Sequence, residues 1–153
     1  MPIIILIFLI FTFNVNSQDI SEIRKVYLTA PHSNTNCEKL GKLTKEIKDN
    51  ISPLIIGYKA SYYFIKCNFI TNPANKIISF NKGKKLIQQA IKQEPKSVEL
   101  RLLRYAAQKN SPKFLMYNKH IKEDLYFLAN NLAEVNNINT KEYIKYSLNK
   151  LEE

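Results

Sequence analysis

Apolar and polar residues recur along most of this chain with a helical period, and two stretches depart from it. The first is Ile3 to Val15, which carries no charge and ends at Val15-Asn16-Ser17 before Gln18. A short apolar core followed by small residues is the pattern of a cleaved export signal. A membrane-spanning helix needs roughly 20 apolar residues, and this run is interrupted by Asn14 and Asn16. The expected division is therefore a signal peptide over 1–17 and a single all-helical domain over 18–153, in a periplasmic or secreted protein.

Seven helices are predicted after the leader. Asp19-Ile20-Ser21-Glu22 has capping-box spacing, with Ile20, Ile23, Tyr27 and Ala30 on one face and Pro31 as a stop. Thr35-Asn36-Cys37-Glu38 opens a second helix bearing Leu40, Leu43 and Ile47, and Asn50 closes it. Ser52-Pro53 places an N-cap before a proline at the first helical position of a third. Asn72-Pro73 reads as a linker into a fourth, with Phe80, Gly83, Ile87, Ala90 and Ile91 as its stripe and Gln93 as its end. A glycine on that stripe predicts close approach of a neighbouring helix. Ser97 caps a fifth helix from Val98 to Lys109, and Ser111-Pro112 repeats the cap-plus-proline pattern. The sixth runs from about Asn118 to Ala133 with Ile121, Leu125, Leu128 and Leu132, and Asn139 opens the seventh. Short loops imply antiparallel helical hairpins.

The second departure is the third helix, Pro53 to Phe69. Its apolar residues surround nearly the whole cylinder, and only Lys59, Ser61, Lys66 and Asn68 suggest a wet edge. A helix apolar all round is buried among others. The fold class is thus all-α, with hairpins packed around a central buried helix, and the tyrosines Tyr58, Tyr62 and Tyr63 in the core with their hydroxyls at its rim.

Charge changes the picture only in part. The chain of 153 residues carries a net +10, all of it after the leader. Export argues against nucleic acid as the partner and towards anionic lipid, envelope polysaccharide or an acidic protein. The lysines are spread over several segments, with Lys82-Gly83-Lys84-Lys85 the one cluster, as a solvated surface would have them. Only three of the 23 basic residues are arginine, and two of these, Arg101 and Arg104, lie one turn apart with Gln108 extending their face. Arginine offers a flat bidentate fork that lysine cannot copy. Arg101, Arg104 and Gln108 are candidates for an anion or partner face. The competing reading, which carries more weight, is internal pairing with Glu99, Glu123 or Asp124.

Cys37 and Cys67 lie about fourteen residues before and sixteen after the turn near Ile51, so a hairpin brings them to the same end. A disulfide there would contribute roughly 3 kcal/mol on the chain-entropy argument. Two buried free thiols are the alternative.

Gly57-Tyr58-Lys59-Ala60, then Gly83, Ala90 and Pro95, resembles a tetratricopeptide hairpin in irregular form, without a second copy. Over roughly Ile23 to Leu132 the chain is similar to a group of small exported bacterial proteins. That similarity rests on Gly57-Tyr58-Lys59-Ala60, Phe80 with Gly83, Pro95, Glu99-Leu100-Arg101-Leu102-Leu103-Arg104, Gln108, Pro112, Leu115-Met116-Tyr117 and Asp124. The resemblance implies fold and export and supplies no reaction.

Chemistry-bearing motifs are sparse. His32 and His120 lack metal-ligand spacing, and no phosphate loop, dinucleotide fingerprint or nucleophile elbow occurs. No cofactor is expected. The leading expectation is a non-enzymatic exported scaffold that binds a protein or peptide partner in the cell envelope. A basic module docking on anionic lipid or polysaccharide is the alternative. A third reading, with less weight, is an enzyme of unrecognised type, which a deep pocket lined by His120, Glu123, Asp124 and Arg104 would favour.

Overall fold

The structure is a computed structural model that describes residues 17–46 and 52–153. The expected leader and the Asn50 helix stop lie outside the described residues, apart from Ser17. Among the described residues there are seven α-helices: α1 Ser17–Thr29, α2 Asn34–Glu46, α3 Pro53–Lys66, α4 Pro73–Gln93, α5 Val98–Lys109, α6 Ile121–Asn131 and α7 Ile138–Glu152. Three short 3-10 turns, Ala30–His32, Lys113–Leu115 and Leu132–Glu134, join them. The fold is all-α, and the described residues contain no strand.

Capping chemistry sets most helix starts. Ser52 accepts from the Leu54 N–H ahead of Pro53, and Ser97 accepts from Leu100, both as the sequence predicts. Asn72-Pro73 is not a linker: Asn72 accepts from the Asn75 N–H at 3.2 Å, so cap and proline begin the 21-residue α4 directly. Thr35 is not the cap of α2. The chain leaves its 3-10 turn extended at Ser33, and the Ser33 hydroxyl accepts from the Asn36 N–H. Asn137 rather than Asn139 caps α7, accepting from Thr140 at 2.9 Å. The first helix begins at Ser17, two residues before the expected cap. Ser111-Pro112 opens no α-helix. The Ser111 hydroxyl donates back to Ala107 at 2.6 Å, the chain makes a single 3-10 turn, and α6 starts only at Ile121.

The central helix is α3, with α1, α2, α4 and α5 packed on it. None of its residues is exposed, Lys59 and Lys66 included. Ser61, expected on a wet edge, is buried and returns its hydroxyl to the Gly57 carbonyl at 3.1 Å. The helix ends at Lys66, three residues before the predicted Phe69, where Cys67 to Phe69 tighten into i→i−3 turns. Close approach to α4 is made by Gly83, as its place on the apolar stripe implies. A Cβ there would lie 3.0 Å from the Phe64 ring and 3.1 Å from the Ala60 carbonyl oxygen. Gly57 does the same towards α5, facing Leu100 and Leu103.

The core falls into two clusters. One cluster gathers α1 to α4 and takes Leu100 and Leu103 from α5. A second gathers Leu102 and Tyr105 of α5 with Leu128 of α6 and Ile144 of α7. Residues advance about 100° per position on a helix, so 100/103 and 102/105 point to opposite flanks of α5. The fifth helix is therefore a second hub, and no residue from Val98 to Gln108 is exposed.

Candidate functional site

The third flank of α5 carries Arg101, Arg104 and Gln108, and it faces α6. Arg104 grips Asp124 bidentately, Nε to Oδ2 at 2.7 Å and Nη2 to Oδ1 at 2.6 Å. Gln108 donates its amide to Asp124 at 2.9 Å and accepts the His120 backbone N–H at 2.8 Å. Arg101 bonds Glu123 and reaches Asp124 at 3.1 Å, with its guanidinium over the Phe127 ring. Asp124 has no exposure at all. Burial alone would lower the Arg104 pKa, but the Asp124 hydrogen bonds and charge outweigh it and the value is raised. The candidate anion face is thus occupied from within: the Arg104 fork and the Arg101 nitrogen shared by Glu123 and Asp124 clamp α5 to α6. Two of the partners proposed from sequence, Glu123 and Asp124, are the ones used.

Glu99 has a different partner, which sequence reasoning missed. Arg24 of α1 crosses to it, donating through Nε at 2.8 Å and through Nη2. Tyr58 of α3 donates its hydroxyl to the same carboxylate and lies 3.0 Å from the Tyr143 hydroxyl of α7. Arg24 also donates to Thr140 at 3.1 Å and stacks over the Tyr143 ring. Tyr58 is fully buried, so its hydroxyl sits inside the molecule and not at a rim. Burial first, then the neighbouring Tyr143 and Glu99, push the Tyr58 pKa well above its ordinary value. Arg24 is the third arginine of the chain. Its rarity was the available signal: all three arginines lie in ion pairs with carboxylates from other helices.

This cluster forms one wall of an open cleft of about 480 Å³. Three helix starts reach it: Ser52 and Leu54 from α3, Ser97 and Val98 from α5, and Thr140 from α7. Its rim carries Glu94, Lys96 and Glu134, and Val135 and Ile144 add apolar lining. Helix starts present partial positive charge, which favours carbonyl and carboxylate groups. Burial, then the charge of Glu99, raises the Glu94 pKa. The cleft combines donors, acceptors and apolar surface.

The four residues named for an enzyme come together, but not in this cleft. His120 Nδ1 lies 2.7 Å from Glu123, a carboxylate that Arg101 and Arg104 also hold. The His120 hydrogen bond first, then Arg101, lowers the Glu123 pKa to about 2. Within the described residues no Ser, Thr or Cys side chain is bonded to His120. The arrangement fixes an imidazole at the start of α6 beside a carboxylate. His32 is exposed.

Cys37 and Cys67 are both free thiols in this structure. Cys37 is wholly buried in the first core, and burial pushes its thiol up to about 11. Cys67 donates to the Tyr63 carbonyl at 3.3 Å.

Comparison with family models, curated proteins and solved structures gives no match to this chain.

Proposed function

We propose that this chain is a non-enzymatic helical scaffold of the cell envelope, exported by residues 1–17, that holds a protein or peptide partner. The observation that carries the reading is the cleft where α1, α3, α5 and α7 meet, with donors, acceptors and apolar groups on its walls. The Arg24–Glu99–Tyr58 cluster behind it supports a preorganised wall, because its charges are already paired and need no rearrangement when a partner arrives. The hairpin of α3 and α4, joined through Gly83 and Ala60, supports the tetratricopeptide-like reading of the architecture.

Site-specific photocrosslinking tests the cleft. A benzophenone amino acid at Val98 or Val135 should yield a discrete adduct in intact cells, and the same group at exposed Tyr126 should not. Reversal of the rim charges in K96E/E134K should remove the adduct. Equal yields from cleft and control positions would refute the reading. Export is tested separately by terminal sequencing: a chain with residues 1–17 intact in a soluble cytosolic fraction would overturn it.

A further inference from the structure

The connection between α5 and α6 carries two of the most exposed large apolar side chains described, Phe114 at 81% and Met116 at 80%. This is not a slack loop. Leu115 and Met116 bond back to Pro112 and Lys113 at 3.0 Å each, closing a tight turn. Met116 ends that turn in the left-handed region at φ 47°, a conformation that non-glycine residues seldom adopt without a constraint. The constraint is the next residue. Tyr117 stacks on Phe64 of α3 and meets Phe80 of α4 edge-on, with centroids 5.6 and 5.4 Å away. Among the described residues its buried hydroxyl finds no partner, and ring packing seats it. Tyr117 points in, and Phe114 and Met116 are left in solvent.

The connection and the two helices that seat it, α3 and α4, carry lysine and no acid. Lys113 and Lys119 are exposed on the connection itself, and Lys84 of α4 lies over the Tyr117 ring at 5.4 Å. No Asp or Glu occurs between Glu99 and Glu123, nor anywhere in residues 50–93, which hold seven lysines. The nearest acid in sequence, Glu123, is already held by Arg101, Arg104 and His120. Ile77, one turn before Phe80 on α4, is a further exposed apolar side chain beside this seat.

We propose that this connection is a membrane-interface anchor: Phe114 and Met116 enter the headgroup boundary of an anionic bilayer while the lysines around them meet the lipid phosphates. Two apolar tips flanked by exposed Lys113 and Lys119 match the two components of interfacial binding, buried apolar area and attraction to anionic lipid. A bilayer accounts for tips that stand out in solvent with no concave surface around them, and its anionic headgroups account for the lysines. The inference shares no residue with the cleft, and either can fail without the other.

The chain contains no tryptophan, so Phe114→Trp supplies a single reporter. The probes are vesicles of phosphatidylcholine with one quarter phosphatidylglycerol, against pure phosphatidylcholine. All variants are made in the full chain, so any contribution of residues 1–17 is common to them. The expected result is a blue shift of the indole emission from the Phe114→Trp chain, with quenching by nitroxide lipids, on the anionic vesicles. A Tyr146→Trp reporter on α7 should not shift. F114S/M116S should lower vesicle affinity at least about tenfold, and K113E/K119E should do so comparably, both with melting curves like the parent's. Unshifted emission on vesicles that bind the chain would overturn the proposal. So would unchanged affinity of F114S/M116S, or a blue shift that grows with protein concentration without lipid, which would mark the tips as a contact between copies.

Discussion

Replacing Asp124 by alanine removes a fully buried carboxylate that accepts four hydrogen bonds, two from Arg104 and one each from Gln108 and Arg101. The Arg104 side chain is itself only 6% exposed, so water cannot take over its charge. Glu123 stays within 3.3 Å of Arg104 but is half exposed and shared with Arg101 and His120. Breaking a buried pair from one side costs about 3–5 kcal/mol, because the surviving charge is left without a partner. Against a total of about 5–15 kcal/mol for a domain, that is a large fraction. For a chain of this size it corresponds to a fall in melting temperature of about 10–20 °C. Differential scanning calorimetry reads it directly. R104M/D124L, which removes both charges and fills the space, should recover most of the loss. Arg104→Lys keeps the charge but loses the fork, and should cost about 1–2 kcal/mol. A fall of less than about 3 °C for D124A would refute the reasoning and return Arg101 and Arg104 to the pool of free anion ligands.

The glycines make a graded series. Gly57→Ala drives a methyl into Leu100 and Leu103, and Gly83→Ala drives one towards the fixed Ala60 carbonyl, so each should lose about 1–3 kcal/mol despite a better helix propensity. Gly41→Ala meets only the half-buried Tyr62 ring, which can swing away, and should be nearly neutral by urea denaturation. At low pH, Glu123 holds its charge down to about 2 in the folded chain against 4.5 normally, so the unfolded state binds more protons between those values. Its contribution is present above pH 4.5 and is lost as pH falls towards 2, and melting curves of E123Q should show a shallower acid slope. At high pH the sign reverses: burial raises Tyr27 and Tyr117 to about 12 and Tyr58 well above 10. Their folded forms resist ionisation, so stability should fall as pH rises past 10, with the phenolate absorbance of these rings appearing only with unfolding.

What the residue pattern revealed was local. Ser52-Pro53 and Ser97 announce their helices because a hydroxyl and a proline act within one turn. The apolar girdle of α3 announces a buried centre because burial on all sides leaves no polar stripe. Gly83 announces a close contact because it takes a place on the apolar stripe of its helix where a packing side chain would otherwise stand. The failures share a cause as well. Thr35 and Asn139 have acceptable cap spacing, but Ser33 and Asn137, two residues upstream, win because the incoming chain is already extended there. Ser111-Pro112 has the letters of a cap, yet the Tyr117 seat decides the path of the following chain.

The Arg24–Glu99–Tyr58 cluster was out of reach for a stronger reason. Its members lie 75 and 41 residues apart, and no local period links them. What the sequence did contain was a preference. In a chain that writes basic residues as lysine almost everywhere, each arginine stands where a planar fork meets a buried or half-buried carboxylate. At Arg24 and Arg104 lysine could supply the charge but not two parallel hydrogen bonds to one carboxylate, whereas Arg101 shares one nitrogen between Glu123 and Asp124. The rare residue therefore marks internal joints of the fold: α1 to α5 at Arg24, and α5 to α6 at Arg101 and Arg104. With the arginines engaged in stapling helices, the charge that reaches solvent is left largely to lysine, and Arg24 is the one staple that also borders the cleft.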